Sequence, residues 1–217
     1  MRKITINLAA VAAFCIVVAS PALVSSSCAT PKTEQEDTTI IREDSGITAL
    51  KYSSPEVPAS IEFCGKTIDL SRFDRHERMD RELLAFTYMH STSLQMLKKA
   101  NRYFPIVEPI LKENGIPDDF KYLMVIESNM NPTARSSAGA AGLWQFMQGT
   151  GRDYGLEVNN NVDERYHIEK ATRAACRYLK DAYAKYKDWV AVAASYNAGQ
   201  ARIASQLAKQ DVDDSLD

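Results

Sequence analysis

Glycine and proline are scarce in this 217-residue chain, at 9 and 8. A sandwich or barrel of many short strands needs more turn residues than that. The four cysteines, at positions 15, 28, 64 and 176, form no CxxC pair. That excludes a dense disulfide framework and a zinc site of the paired-cysteine kind. The three histidines, His76, His90 and His167, have no metal-ligand spacing, so neither a metal nor another cofactor is implied. A net charge of −2 leaves no basic footprint for nucleic acid. No tract of low complexity and no repeat of solenoid length interrupts the body.

The apolar residues concentrate first at the N-terminus. Arg2 and Lys3 precede "ITINLAAVAAFCIVVA", and small residues, "SPALVSSSCA", follow. A basic start, a short apolar run and small residues read as a secretory signal over 1–28, with export to the periplasm or cell envelope. Thr5 and Asn7 interrupt the run, which is short for a membrane span. Cys28 resembles the acylated cysteine of bacterial lipoproteins, although Ser25 stands where leucine is usual. Membrane attachment through lipidated Cys28 is one reading, and plain cleavage near Ser27 is the other. Without residues 1–28 the balance is 24 basic against 28 acidic residues, a net −4. Cys64 and Cys176 read as isolated thiols, and an exported chain also permits their pairing. Residues 29–73 are read as a linker. They begin with a polar, disordered tether rich in Thr, Ser, Glu and Pro and include a short hairpin at 61–72, with Gly65-Lys66 at its turn.

From 74 to 217 the pattern is all-α. Leu83, Leu84, Leu94 and Leu97 anchor one long charged and apolar segment. Pro105 is read as the start of a second helix, which Asn114-Gly115 stops. Pro117-Asp118-Asp119 opens a third, whose Phe120, Leu123, Met124 and Glu127 share one face. Asn131-Pro132 is read as ending it, and another helix is expected over "GLWQFMQGTG". A polar loop with Asn159-Asn160-Asn161 precedes a long helix. Ile168, Ala171, Ala175, Tyr178, Leu179 and Ala182 mark its inner face, and Lys170, Arg173, Arg177 and Lys180 form a solvated outer stripe. Asp188 caps a further helix, Gly199 ends or kinks it, and residues 200–209 resume one.

Glu127 is the residue that this pattern does not explain. A carboxyl on an apolar face resists ionisation and keeps a proton available, as a general acid in glycosidic cleavage must. The small residues from Ser136 to Gly142 leave room for a sugar chain beside the backbone. Ser136 and Gln145 offer hydrogen bonds, while Trp144, Phe146 and Tyr196 offer flat faces for sugar rings.

Three motifs in order, Glu127-Ser128, "GLWQ" from Gly142 through Leu143 and Trp144 to Gln145, and "SYNAG" over 195–199, resemble those of the lytic transglycosylases of the goose-lysozyme-like fold. The resemblance spans about 74–210, and the stretch before Glu127 is similar to one membrane-bound group of them. It implies a lysozyme-like helical domain acting on peptidoglycan glycan strands, at the β-1,4 bond between N-acetylmuramic acid and N-acetylglucosamine. It implies Glu127 as a single catalytic acid and then base, making 1,6-anhydro ends. Ser136, Gly142, Leu143, Trp144, Gln145, Tyr196 and Asn197 would bind substrate, and Asn197 would also organise a helix end. Ser195 departs slightly from the family's usual alanine. The family's further helices and wall-binding repeats are not visible before Asp217, so the domain reads as C-terminally truncated. A hydrolytic muramidase on the same fold and a non-catalytic wall-binding module are the competing functions. Neither the oligomeric state nor a choice between endo and exo cutting follows from these residues.

Overall fold

The computed structural model describes residues 55–209. The leader, Cys15, Cys28, most of the tether and residues 210–217 lie outside them. The described chain opens with an antiparallel hairpin, β1 (Ser60–Phe63) and β2 (Lys66–Asp69), in which Phe63 pairs with Lys66. The turn is therefore Cys64-Gly65, one residue earlier than the sequence suggested, and both carry positive φ, 51° and 79°. Two left-handed residues give the twist that joins tight hairpin strands.

An isolated hairpin is marginal in water. This one is docked. Phe63 is fully buried against Phe120, Cys64 N–H donates to Asp119 Oδ2 at 2.7 Å, and Lys66 pairs with Asp188 at 2.9 Å. The folded unit thus includes residues before Asp74. Ile61, Leu70, Met79 and Leu83 form a second, smaller apolar cluster beneath it.

Helix α1 (Phe73–Tyr88) is separated from α2 (His90–Glu113) by a break at Met89. Pro105 starts no helix, because α2 runs through both Pro105 and Pro109. Both prolines are exposed, so water can take the carbonyls they leave free. The opposite face, with Tyr103, Phe104, Val107, Ile110 and Leu111, is buried and holds the helix together.

A 3-10 turn (Asp118–Phe120) leads into α3 (Lys121–Ser128), α4 (Gln148–Asp153) follows a long loop, and a second 3-10 turn (Glu164–Tyr166) leads into α5 (Ile168–Tyr186). Helices α6 (Trp189–Ala198) and α7 (Gln200–Lys209) complete the all-α body. Helix α5 packs on α2 and α6 through Ala171, Ala174, Ala175 and Ala182, whose small side chains let the axes approach. Its basic residues face out, as read. Arg173 pairs with Glu113, and Arg177 donates to the Tyr154 carbonyl. Asp188 caps α6 by accepting from Val190 N–H at 2.9 Å. Gly199, at φ 85°, ends it. Cys64 and Cys176 are both free thiols, Cys176 buried in the core.

This packing places α3 at the centre. Tyr122, Leu123, Met124 and Val125 are buried in succession, so only the last turn of the helix reaches an edge of the core. Glu127 stands on that turn.

Candidate active site

Helix α3 ends sooner than Asn131-Pro132 would end it. Asn129 and Met130 both turn left-handed, at φ 49° and 51°, and the Met130 side chain returns to the core. Asn tolerates that conformation, which makes it a common helix stop. Ser128 folds its hydroxyl back onto the Met124 carbonyl at 2.8 Å. Glu127 is left half-buried without a salt bridge or hydrogen bond among the described residues. Burial raises its carboxyl from the usual 4.5 to about 7. A helix C-terminus is also a poor place for a negative charge, which acts in the same direction.

Of the helix expected over 142–151, only 148–151 is helical, as the start of α4, and the residues before it are not. Gly142 and Gln145 are both left-handed, at φ 79° and 48°, and such residues do not continue a helix. Instead Ala141 and Phe146 exchange two backbone hydrogen bonds, at 3.0 and 3.2 Å. Gly142 N–H donates to the Ala134 carbonyl. The Gln145 side chain donates to the carbonyls of Gly142, at 2.8 Å, and Ala134, at 3.3 Å. Ser136 is exposed, and its hydroxyl accepts from Ala140 N–H at 3.0 Å.

The proposed stacking faces divide. Trp144 has no exposed surface, and its indole N–H donates to Thr172 Oγ1 at 2.9 Å. Phe146 and Leu143 are also buried. These three are core groups rather than sugar platforms, because the left-handed turn directs them inward. Tyr196 alone of the aromatic set is partly exposed. Its hydroxyl donates to the Trp144 carbonyl at 2.7 Å, and its ring lies edge-on to Tyr178. Burial and the Glu127 charge both push its ionisation well above the ordinary tyrosine range. The Asn197 side chain is exposed and makes no hydrogen bond among the described residues. The end of α6 is closed by Gly199 N–H on the Ser195 carbonyl.

Thr172→Val keeps the shape but strands the Trp144 indole N–H. We expect a loss of about 1–3 kcal/mol, read by urea unfolding. A change under about 0.5 kcal/mol would show that the bond does not matter.

One residue that carries the site escaped the sequence reading. Arg165 is 4% exposed. Its Nε and Nη2 grip both oxygens of Asp163, at 2.9 and 2.7 Å. Its Nη1 donates to the carbonyls of Gly139 and Phe146, at 2.8 and 3.0 Å. An Asp two residues before an Arg in a polar loop was the available signal, and it looks like an ordinary surface pair. The other loop carboxylates have partners of their own. Glu157 accepts from Asn159, and Glu164 pairs with Lys170. Among the described residues, none adds its charge to Glu127.

A half-buried carboxyl at the end of a buried helix, with no partner among the described residues, is a proton donor's environment. The family model described as "Transglycosylase SLT domain" matches residues 105–215. The chain belongs to the transglycosylase SLT domain family. As an SLT chain it is 31% identical over 128 residues to "Membrane-bound lytic murein transglycosylase D" of Escherichia coli K12, covering 58% of this chain and 27% of that protein. It is 33% identical over 93 residues to "Peptidoglycan transglycosylase gp16" of Escherichia phage T7, covering 42% of this chain and 7% of that protein. The aligned SLT region is therefore a small part of each of these curated relatives.

Proposed function

We propose that the chain is a peptidoglycan lytic transglycosylase that uses Glu127 as its one catalytic acid and base. The observation that carries this reading is the half-buried Glu127 carboxyl, which burial holds up to about 7, with no second carboxylate acting on it among the described residues. Glycosidases that attack with a protein group or an activated water use a pair of carboxylates. A single acid suffices when the nucleophile belongs to the substrate. Glu127 protonates the oxygen of the leaving N-acetylglucosamine. Its carboxylate then accepts the proton of the muramoyl 6-hydroxyl as that oxygen bonds to the anomeric carbon. The 1,6-anhydro ring closes with no water consumed. A tethered hydroxyl has a high effective molarity, which replaces a second catalytic residue.

In this reading Ser136, exposed on the loop, and the face of Tyr196 contact the glycan. Gln145, Gly142 and the buried Trp144 and Leu143 shape the loop from behind. The enzyme works in the cell envelope, held at a membrane if Cys28 is lipidated.

Release of soluble fragments from purified sacculi tests the catalytic reading. A wall-binding module would bind sacculi and release nothing. The pH dependence follows from the acid's required state. With Glu127 protonated up to about 7, kcat/KM should hold below that pH and fall about tenfold per unit above it. A profile that keeps rising through pH 8 would remove Glu127 from the acid role.

A further inference from the structure

The loop from Arg135 to Phe146 folds as two turns in succession. An antiparallel bridge joins Arg135 to Ala141 around the first, residues 136–140, and another joins Ala141 to Phe146 around the second. The second turn is anchored by its side chains, since Leu143, Trp144 and Phe146 are buried. The first has no such anchor. Ser136, Ser137 and Ala138 are exposed, and Gly139 and Ala140 are half-buried. Its own bonds close it. Ser136 N–H donates to the Ala140 carbonyl at 2.9 Å, Gly139 N–H to the Ser136 carbonyl at 3.0 Å, and Ala140 N–H to Ser136 Oγ at 3.0 Å. Among the described residues, one hydrogen bond reaches this turn from outside it. Arg165 Nη1 donates it, to the Gly139 carbonyl at 2.8 Å.

The same nitrogen donates to the Phe146 carbonyl at 3.0 Å, so it ties the tip of the first turn to the anchored end of the second. Asp163 holds the rest of the guanidinium through both of its oxygens. A planar fork held in this way fixes direction as well as distance. Behind it, the Arg165 backbone carbonyl packs against Gly142 so closely that no side chain fits between them. Residue 165 thus meets both turns, one through its side chain and the other through its backbone.

We infer that Arg165, held by Asp163, is a positioning residue for substrate: it fixes the turn that presents the Ser136 hydroxyl to the glycan. This deepens the reading above and rests on it for the identity of the ligand. The chemistry at Ser136 suits the task. A hydroxyl has one proton to give and two lone pairs to offer. Ala140 N–H takes a lone pair, and among the described residues the proton has no acceptor. The hydroxyl is therefore exposed, oriented and free to donate to an oxygen of the ligand, such as the acetamido carbonyl of a sugar. Without the Arg165 fork the turn keeps its own bonds but loses its fixed place beside residues 142–146. Ordering it then falls on the binding step and weakens binding.

The test is a double-mutant cycle read by co-sedimentation with purified sacculi, in the full chain carrying Glu127→Gln so that no glycan is cut. Binding is compared for that chain, and for Arg165→Lys, Ser136→Ala and both together within it. Lysine keeps the charge but cannot reproduce the fork. Circular dichroism establishes folding in each case. Asp163→Asn, which offers one acceptor oxygen where the carboxylate offers two, takes the place of Arg165→Lys if that variant does not fold. Arg165→Lys should weaken binding about fivefold, the worth of one hydrogen bond. In the Ser136→Ala background the same change should cost less than about twofold. A merely structural role would cost the same factor in both backgrounds. Equal losses in the two backgrounds, or unchanged binding by folded Arg165→Lys, would overturn the inference. Digestion of sacculi by the wild-type chain separates the two readings. Coupling in the cycle with no fragments released sinks the enzymatic reading and leaves this one standing, and anhydro fragments without coupling do the reverse.

Discussion

Glu127→Gln should abolish cleavage of sacculi, by about 10²–10⁴-fold or more, while the protein still folds and binds glycan. Glutamine preserves the shape and removes the proton donor. The variant should also be more stable than wild type at pH 8. The sign follows from the raised value. The folded state holds the Glu127 proton up to about 7, and the unfolded chain releases it near 4.5. Stability is therefore complete below 4.5 and falls as pH rises towards and through 7, since ionisation favours the unfolded chain. Glutamine does not ionise, so the advantage of the variant should shrink towards pH 4.5. Sacculus turbidity and melting curves at pH 5 and 8 measure both effects. Such a gain on removing a catalytic group is the ordinary trade of stability for activity. Unchanged cleavage by the variant would end the account of Glu127 as the acid.

Gly142→Ala should be the most destabilising small substitution in the loop, with a loss of more than about 3 kcal/mol. A Cβ at residue 142 would sit 1.9 Å from the Arg165 carbonyl oxygen and 2.8 Å from its carbon. Both are backbone atoms, so no side chain can move aside. The left-handed φ of 79° adds strain for any L-residue. Gly139→Ala is the control. Its φ is 89°, yet no atom lies within 4 Å of the added carbon. Only the conformational penalty remains there, about 1–2 kcal/mol. Urea unfolding of the two variants decides. Equal losses at both positions would mean that the close approach between Gly142 and Arg165 is not real.

Much of this fold is legible in the residues, for identifiable reasons. The inner face of α5 follows helical spacing because alanine and leucine recur at that period and the basic residues do not. The cap at Asp188 and the stop at Gly199 follow from side-chain chemistry that works locally. The continuity of α2 through Pro105 and Pro109 is not local. It depends on which side of the helix is wet, and that is set by tertiary packing. The same holds at "GLWQ". Its apolar residues suit a helix, but the left-handed Gly142 and Gln145 make a turn that buries Trp144, Leu143 and Phe146. Glu127 could be singled out from its apolar surroundings and Tyr196 from its motif. The bond from the Tyr196 hydroxyl to the Trp144 carbonyl, and those from Arg165 to the same turn, join residues far apart in the chain, which no periodicity reports.

The most direct test of the central claim is mass spectrometry of the fragments that wild-type protein releases from sacculi in oxygen-18 water. A transglycosylase leaves 1,6-anhydromuramoyl ends, one water lighter than reducing ends, with no heavy oxygen in them. That is the result expected here. Reducing ends carrying oxygen-18 would show that water is the nucleophile, and the single-acid mechanism built on Glu127 would be wrong.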